Sequence, residues 1–116
     1  MITQIYPDDA YYGLPCSYVA IGCAGGRAGS IPTKADGYAT LQDVNKAIRG
    51  ALKVKNYTYF PRDKRVSLET YMGNRGTGRA VVCVLGHYLY ADFSQGKYWS
   101  FFNNSTDKIV AIWELY

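Results

Sequence analysis

Arg79-Ala80-Val81-Val82-Cys83-Val84-Leu85-Gly86-His87-Tyr88-Leu89-Tyr90-Ala91-Asp92 is the stretch that decides the fold class. Two runs rich in β-branched and aromatic residues, 79–85 and 88–92, flank one glycine, a composition that predicts paired strands. Two similar runs follow at 97–102 and 108–115, set off by Ser94-Gln95-Gly96 and by residues 103–107. Links this short force antiparallel neighbours. The C-terminal third is therefore expected to be an antiparallel sheet. Residues 57–60, cut off by Pro61, read as a further edge strand, which makes about four to five strands.

Working outward, the N-terminal half reads as helical. Leu14-Pro15 suits the entry to a helix, because proline is pre-organised for the first turn and has no amide hydrogen to lose. Cys16, Val19, Ala20 and Cys23 recur at i, i+3, i+4 and i+7 as one apolar stripe, and Gly25-Gly26 ends it. Residues 27–38, with Gly29, Pro32 and Gly37, read as a loop. Thr40 then opens a second helix, with Asp43 in its first turn and Leu41, Val44, Ile48, Ala51 and Leu52 as the buried stripe. Residues 67–72 predict one or two helical turns, with 73–78 as the exit loop. Helices first and a sheet afterwards define an α+β order in one domain, 1–116, with the N-terminal helices packed on the sheet.

A chain of 116 residues fits one core and leaves no room for a separate regulatory module. Its net charge of +4 comes from lysines and arginines scattered along the chain and densest at 46–55 and 62–65, without a block of like charge. A nucleic-acid binder would show a basic stripe with interleaved aromatics, so nucleic acid is not the expected partner. Twelve tyrosines against nine acidic residues predict that some phenol rings line a groove or face a peptide or protein. Three cysteines, an odd number, leave at least one thiol outside any internal disulfide and favour a reducing compartment. Residues 1–10 lack a basic and apolar leader pattern. The longest uncharged run, 10–26, is too short to span a bilayer and is broken by Gly13, Pro15 and Gly25-Gly26. A soluble, cytoplasmic protein with no membrane contact is the expectation.

Two residues are candidates for chemistry, each with a structural alternative: a half-buried imidazole bonded to a backbone carbonyl for His87, and a small buried hydrophobe on the apolar stripe for Cys16. His87 is the sole histidine and follows Gly86 at a strand junction. Cys16 stands at the predicted start of a helix, where unpaired amide hydrogens and the helix dipole favour an anion. Cys23 and Cys83 lie inside their elements and read as small buried hydrophobes. A zinc site built from Cys16, Cys23, Cys83 and His87 is excluded by spacing. Seven helical residues separate the first pair by roughly 10 Å, and four strand residues separate the second by roughly 13 Å.

The order of a cysteine on the first helix, a histidine at the head of a late strand and an amide after the next strand resembles the papain-like cysteine peptidase superfamily. Gly86-His87-Tyr88-Leu89-Tyr90, then Tyr98-Trp99-Ser100-Phe101-Phe102-Asn103-Asn104 and Ile109-Val110, is similar to the histidine box of ubiquitin-specific proteases. Gly13-Leu14-Pro15-Cys16-Ser17-Tyr18 is a weaker echo of their cysteine box. Val66-Ser67-Leu68-Glu69, Arg79-Ala80-Val81-Val82, Gly86-His87 and Val110-Ala111-Ile112-Trp113 also resemble small papain-fold proteins encoded by bacteriophages, and the chain length fits that group.

The resemblance implies acyl transfer without a metal or organic cofactor. Cys16 would be the nucleophile, His87 the general base and Asn103 the orienting residue, with Asn104 and Asp92 as substitutes for Asn103. Tyr11, Tyr12, Gly86 and Trp99 would form the oxyanion and substrate groove. One departure stands out: the amide side chain that the superfamily places a few residues before its cysteine is missing, and Tyr11 or Tyr12 occupies that stretch. The alternative is therefore a papain-fold interaction protein without catalysis, such as a phage-encoded inhibitor of a host enzyme or defence system, acting in the host cytoplasm.

Overall fold

A computed structural model describes residues 2–27 and 40–116. Most of the loop expected at 27–38 lies outside the described residues. Among those described, the chain is α+β, with three α-helices and a six-stranded sheet. In chain order these are β1 (Thr3–Ile5), α1 (Cys16–Cys23), α2 (Leu41–Ala51), β2 (Val54–Tyr59), α3 (Leu68–Arg75), β3 (Arg79–Val84), β4 (His87–Asp92), β5 (Lys97–Trp99) and β6 (Ile109–Leu115). The sheet runs β1-β5-β4-β3-β6-β2.

β3, β4 and β5 pair antiparallel in chain order as expected, but β6 does not lie beside β5. It crosses to the far side of β3 and pairs antiparallel with β3 and with the edge strand β2, because β5 ends at Trp99 and leaves a nine-residue link, 100–108, long enough to pass over β4 and β3. The expectation also fell short at the other edge. There β1 lies parallel to β5, in register Thr3↔Lys97 to Ile5↔Trp99, so the sheet is mixed and has one strand more than the upper expectation. Parallel pairing needs a long crossover, which is why a three-residue strand far away in sequence gives no local signal.

Strand alternation divides the apolar residues of β3 between two cores. Val81 and Cys83 join Tyr90, Ala111 and Trp113 beneath Ala20, Ile21, Val44 and Ile48 of α1 and α2. Ala80, Val82 and Val84 join Leu89, Ala91, Ile109 and Ile112 on the opposite face, beneath Leu68 and Met72 of α3. The helices thus cover both faces rather than packing together on one side. Each of these large buried side chains contributes about 1.5–3 kcal/mol by leaving water.

α2 and α3 each start at a hydroxyl cap, of which Thr40 is the one read from sequence. Thr40 Oγ1 accepts from the Asp43 amide at 3.1 Å and donates to the Asp43 carboxylate at 2.7 Å. Ser67 Oγ accepts from the Thr70 amide at 3.2 Å and starts α3. The stripe expected on α1 is rotated. The buried residues are Ser17, Val19, Ala20 and Ile21, with Ala24 just past the helix, while Cys16 and Cys23 are only half-buried. Ser17, Ala20, Ile21 and Ala24 satisfy the same i, i+3, i+4, i+7 spacing, so periodicity alone could not choose between the two faces. Arg79 ties this helix to the end of the sheet. Its Nη1 donates to the Ala24 carbonyl at 2.9 Å, and Nε and Nη2 donate to the Tyr116 carbonyl at 3.2 and 3.0 Å.

Trp113 is fully buried, and its indole N–H donates to Asn45 Oδ1 of α2 at 2.8 Å. The same oxygen accepts from Arg49 Nε at 3.0 Å. Replacing Asn45 by alanine strands a buried donor, so Asn45→Ala should cost about 1–3 kcal/mol. Asn45→Asp keeps the acceptor and should lose clearly less. Urea unfolding followed by far-ultraviolet circular dichroism checks both, and equal losses would show that the indole bond does not hold α2 to the sheet.

Candidate functional site

β3 and β4 are joined by a two-residue turn, Leu85-Gly86, which brings Val84 opposite His87. Gly86 has φ +80°, a left-handed conformation that residues with a Cβ rarely adopt. The glycine thus fixes where the strand restarts, and His87 is the first residue of β4. Cys16 is delivered from the other side as the first residue of α1. The helix's N-cap, Pro15, offers no side chain to the first-turn amides.

Both residues line a cavity of about 300 Å³ at the end of the sheet. Its other walls are mainly apolar, including Tyr12, Leu14, Val19, Trp99 and Phe102. Tyr12 is 78% exposed at the rim and meets Phe101 edge-on at 5.6 Å. Phe102 is 64% exposed and stands edge-on to the His87 ring at 5.5 Å. No carboxylate, lysine or arginine is among the lining residues.

No hydrogen bond joins Cys16 to His87 in this structure. Alternation along β4 accounts for this. Tyr88 turns toward the core beneath α1, and its neighbour His87 is sent the other way.

Instead, His87 joins a buried polar chain. Its Nε2 lies 3.0 Å from Ser100 Oγ. Ser100 Oγ donates to Asn104 Oδ1 at 2.6 Å and accepts from the Phe102 amide at 3.1 Å. Asn104 Nδ2 donates to Asp107 Oδ2 at 2.8 Å. Ser100 and Asn104 are buried, and the Ser100 backbone is clamped to β1: its amide donates to the Ile5 carbonyl at 3.1 Å, and its carbonyl accepts from Gln4 Nε2 at 3.0 Å.

The residues singled out from sequence are distributed unevenly. Cys16, His87, Tyr12 and Trp99 line the cavity. Asn103 does not reach the imidazole; its Oδ1 accepts from the Tyr98 and Ser105 hydroxyls at 3.1 and 2.8 Å. Its neighbour Asn104 enters the chain to His87, through Ser100. Asp92 accepts from Gln95 at the β4–β5 turn and takes no part. Tyr11 packs against α1 away from the cavity, where a Cβ on Gly22 would come within 2.4 Å of its hydroxyl. Gly86 shapes the turn without lining the cavity. Ser100 was missed, and the one available signal was a lone hydroxyl inside the aromatic run Tyr98-Trp99-Ser100-Phe101-Phe102.

No known protein family, curated protein or solved structure matches the chain. Among the described residues, no helix is long and apolar enough to cross a membrane.

Burial pushes the Cys23 thiol up to about 11. It also pushes Cys83 up to about 11, against the opposing hydrogen bond from Tyr88. Both are therefore held as thiols at neutral pH, while Cys16 opens onto the cavity. Iodoacetamide labelling with peptide mapping should modify Cys16 first, on the order of tenfold faster than either of the others. Prior labelling of Cys23 or Cys83 would contradict this.

Burial also lowers the His87 pKa from its ordinary value, with Asp107 pulling upward. An unfolded chain then binds a proton that the folded protein resists. The neutral ring's contribution to stability is complete above about pH 6.5. It is lost as pH falls below that value through the folded pKa. His87→Gln should flatten the decline below pH 6.5 in urea midpoints, and an unchanged slope would show that the ring is not protected from protonation.

Proposed function

We propose that this cavity is the site of a thiol-dependent acyl transfer on a peptide or protein, with Cys16 as nucleophile and His87 as base. The observation that carries the reading is that these two residues, far apart in sequence, line one apolar cavity while Nε2 of the imidazole lies 3.0 Å from the hydroxyl of Ser100, which lines the same cavity. The papain-like motifs around Cys16 and His87 support the same chemistry, and the fold they imply is part of the proposal.

In the reaction, Cys16 Sγ bonds to the carbonyl carbon of a peptide or isopeptide as its proton passes to His87. His87 returns that proton to the leaving nitrogen as the C–N bond breaks. Water, deprotonated by the same imidazole, then attacks the thioester, and the thiol is regenerated. The carbonyl oxygen becomes negative in between. The amide of Cys16 at the start of α1 and the hydroxyl of Tyr12, both residues of the cavity wall, are the donors proposed for it. An apolar cavity without fixed charges favours an uncharged segment beside the scissile bond. Catalytic contacts often tighten only when substrate binds, so a bound segment has to bring Cys16 and the imidazole within hydrogen-bond reach.

The missing Cys16–His87 hydrogen bond and the exposed rings of Tyr12 and Phe102 favour a second reading, a binding protein that seats a partner's apolar segment in the same cavity. One pair of variants separates the two. Under acyl transfer, Cys16→Ser should lower turnover by at least about 10³-fold with binding of substrate nearly intact, since the change is close to isosteric. Under pure binding, Cys16→Ser should leave activity unchanged, while Tyr12→Ala should weaken partner affinity by about tenfold. Turnover of fluorogenic peptide and isopeptide substrates, alongside calorimetric binding, reads both. Full activity in both Cys16→Ser and His87→Ala would remove the catalytic reading.

A further inference from the structure

We propose that Ser100 is the positioning residue for His87, fixing the imidazole as its Nε2–H tautomer through a proton chain that ends on Asp107. As a statement about catalysis this rests on the acyl-transfer reading. As a statement about the imidazole it stands on the hydrogen bonds themselves.

The direction of every bond in the chain follows from its far end. A carboxylate only accepts, so Asp107 Oδ2, 2.8 Å from the Asn104 side chain, must face the amide nitrogen. That sets the Asn104 carbonyl oxygen toward Ser100, 2.6 Å away. A carbonyl oxygen also only accepts, so the single hydroxyl proton of Ser100 is committed to it. The Phe102 amide donates to the same hydroxyl oxygen at 3.1 Å. Ser100 Oγ therefore meets His87 Nε2 at 3.0 Å with no proton left to give, and the ring must supply it. In the neutral imidazole this places the proton on Nε2 and the lone pair on Nδ1. Among the described residues no protein group pairs with Nδ1, which is left as the nitrogen able to take a proton from a thiol.

Burial makes the assignment firm. Ser100 is 2% exposed and Asn104 5%, so bulk water has little access to replace either bond. The Ser100 backbone is held between the Ile5 carbonyl and Gln4 Nε2, so the hydroxyl is fixed by the strand β1 that borders it. The same commitments exclude Ser100 as a nucleophile, because its proton already belongs to Asn104 and its oxygen accepts from two N–H groups. Its role is to hold another residue rather than to touch substrate.

The sole histidine makes the test direct. Nitrogen-15 spectra of the imidazole above its titration should show one tautomer, protonated at Nε2; a proton on Nδ1, or a mixture, would overturn the proposal. Ser100→Ala should convert the single tautomer to a mixture and lower kcat on the order of 10²-fold, with KM little changed. Ser100→Thr, which keeps the hydroxyl, should restore both. An unchanged tautomer in folded Ser100→Ala would also overturn it. Should Ser100→Ala fail to fold, Asp107→Asn decides. This variant retains an acceptor for Asn104 but not the charge, so the His87 titration should move to lower pH; an unmoved titration would refute a chain reaching Asp107. Wild-type protein with the expected tautomer but no turnover on any substrate would remove acyl transfer while leaving Ser100 as the residue that sets His87.

Discussion

β3 is buried on both faces and hydrogen-bonded along both edges, to β4 on one side and β6 on the other. In a strand so placed, a slip of one residue would send Val81 and Cys83 into the core under α3 and Val82 and Val84 into the core under α1. The two cores hold different shapes, Trp113 and Tyr90 in one and Leu68, Leu89 and Ile112 in the other, so the register has one good solution. The turn at Gly86 hands that register directly to β4. His87 is consequently placed by the packing of β3 rather than by anything local to the imidazole.

A second dependence runs through β5. Its pairing with β4 stops at Trp99, opposite Tyr90, and the next residue leaves the ladder. A longer strand through Phe102 would have carried Ser100 through the alternation and left Asn103 at its end. Beyond the early exit the Phe102 amide closes onto the Ser100 hydroxyl, which lies 3.0 Å from His87 Nε2. Tyr98 secures the exit. Its hydroxyl donates to Asn103 Oδ1 and accepts from the Asn104 amide, which points Asn104 inward and leaves Asn103 exposed.

These two dependences explain what could be read from the residues alone. The succession β3, β4, β5, the cap at Thr40 and the start of α1 rest on local composition and were legible, whereas the place of β6 between β3 and β2 depends on where β5 ends and was not. β1 was not, because Thr3-Gln4-Ile5 acquires its meaning only from Lys97-Tyr98-Trp99 in parallel register. The buried face of α1 was misjudged because two faces of that helix satisfy the same spacing, and the half-buried edge that resulted is what leaves Cys16 open to the cavity. Cys16 and His87 were identifiable by residue type. Ser100 was not, since a serine among aromatics reads as an ordinary strand residue until burial removes water from around it. Adjacent asparagines are indistinguishable by pattern, and only the Tyr98 hydroxyl separates their roles.

The site also combines two environments that strengthen each other. His87 borders an apolar cavity lined by no fixed charge, and from Ser100 in the same wall a hydrogen-bonded chain leads inward to Asp107, three side chains away. Poor solvation disfavours the imidazolium, and the distant carboxylate offsets part of that cost. Under the tautomer proposed above, the ring would rest neutral with Nε2 fixed on Ser100 and Nδ1 without a protein partner among the described residues. A base of this kind has no ion partner in place to hold it against Cys16, which fits the absence of a bond between them. Under the acyl-transfer reading proposed above, the approach of thiol and imidazole is left to whatever fills the cavity: an occupant that excludes water without drawing Cys16 toward His87 would be held as a ligand, and one that does both would be a substrate.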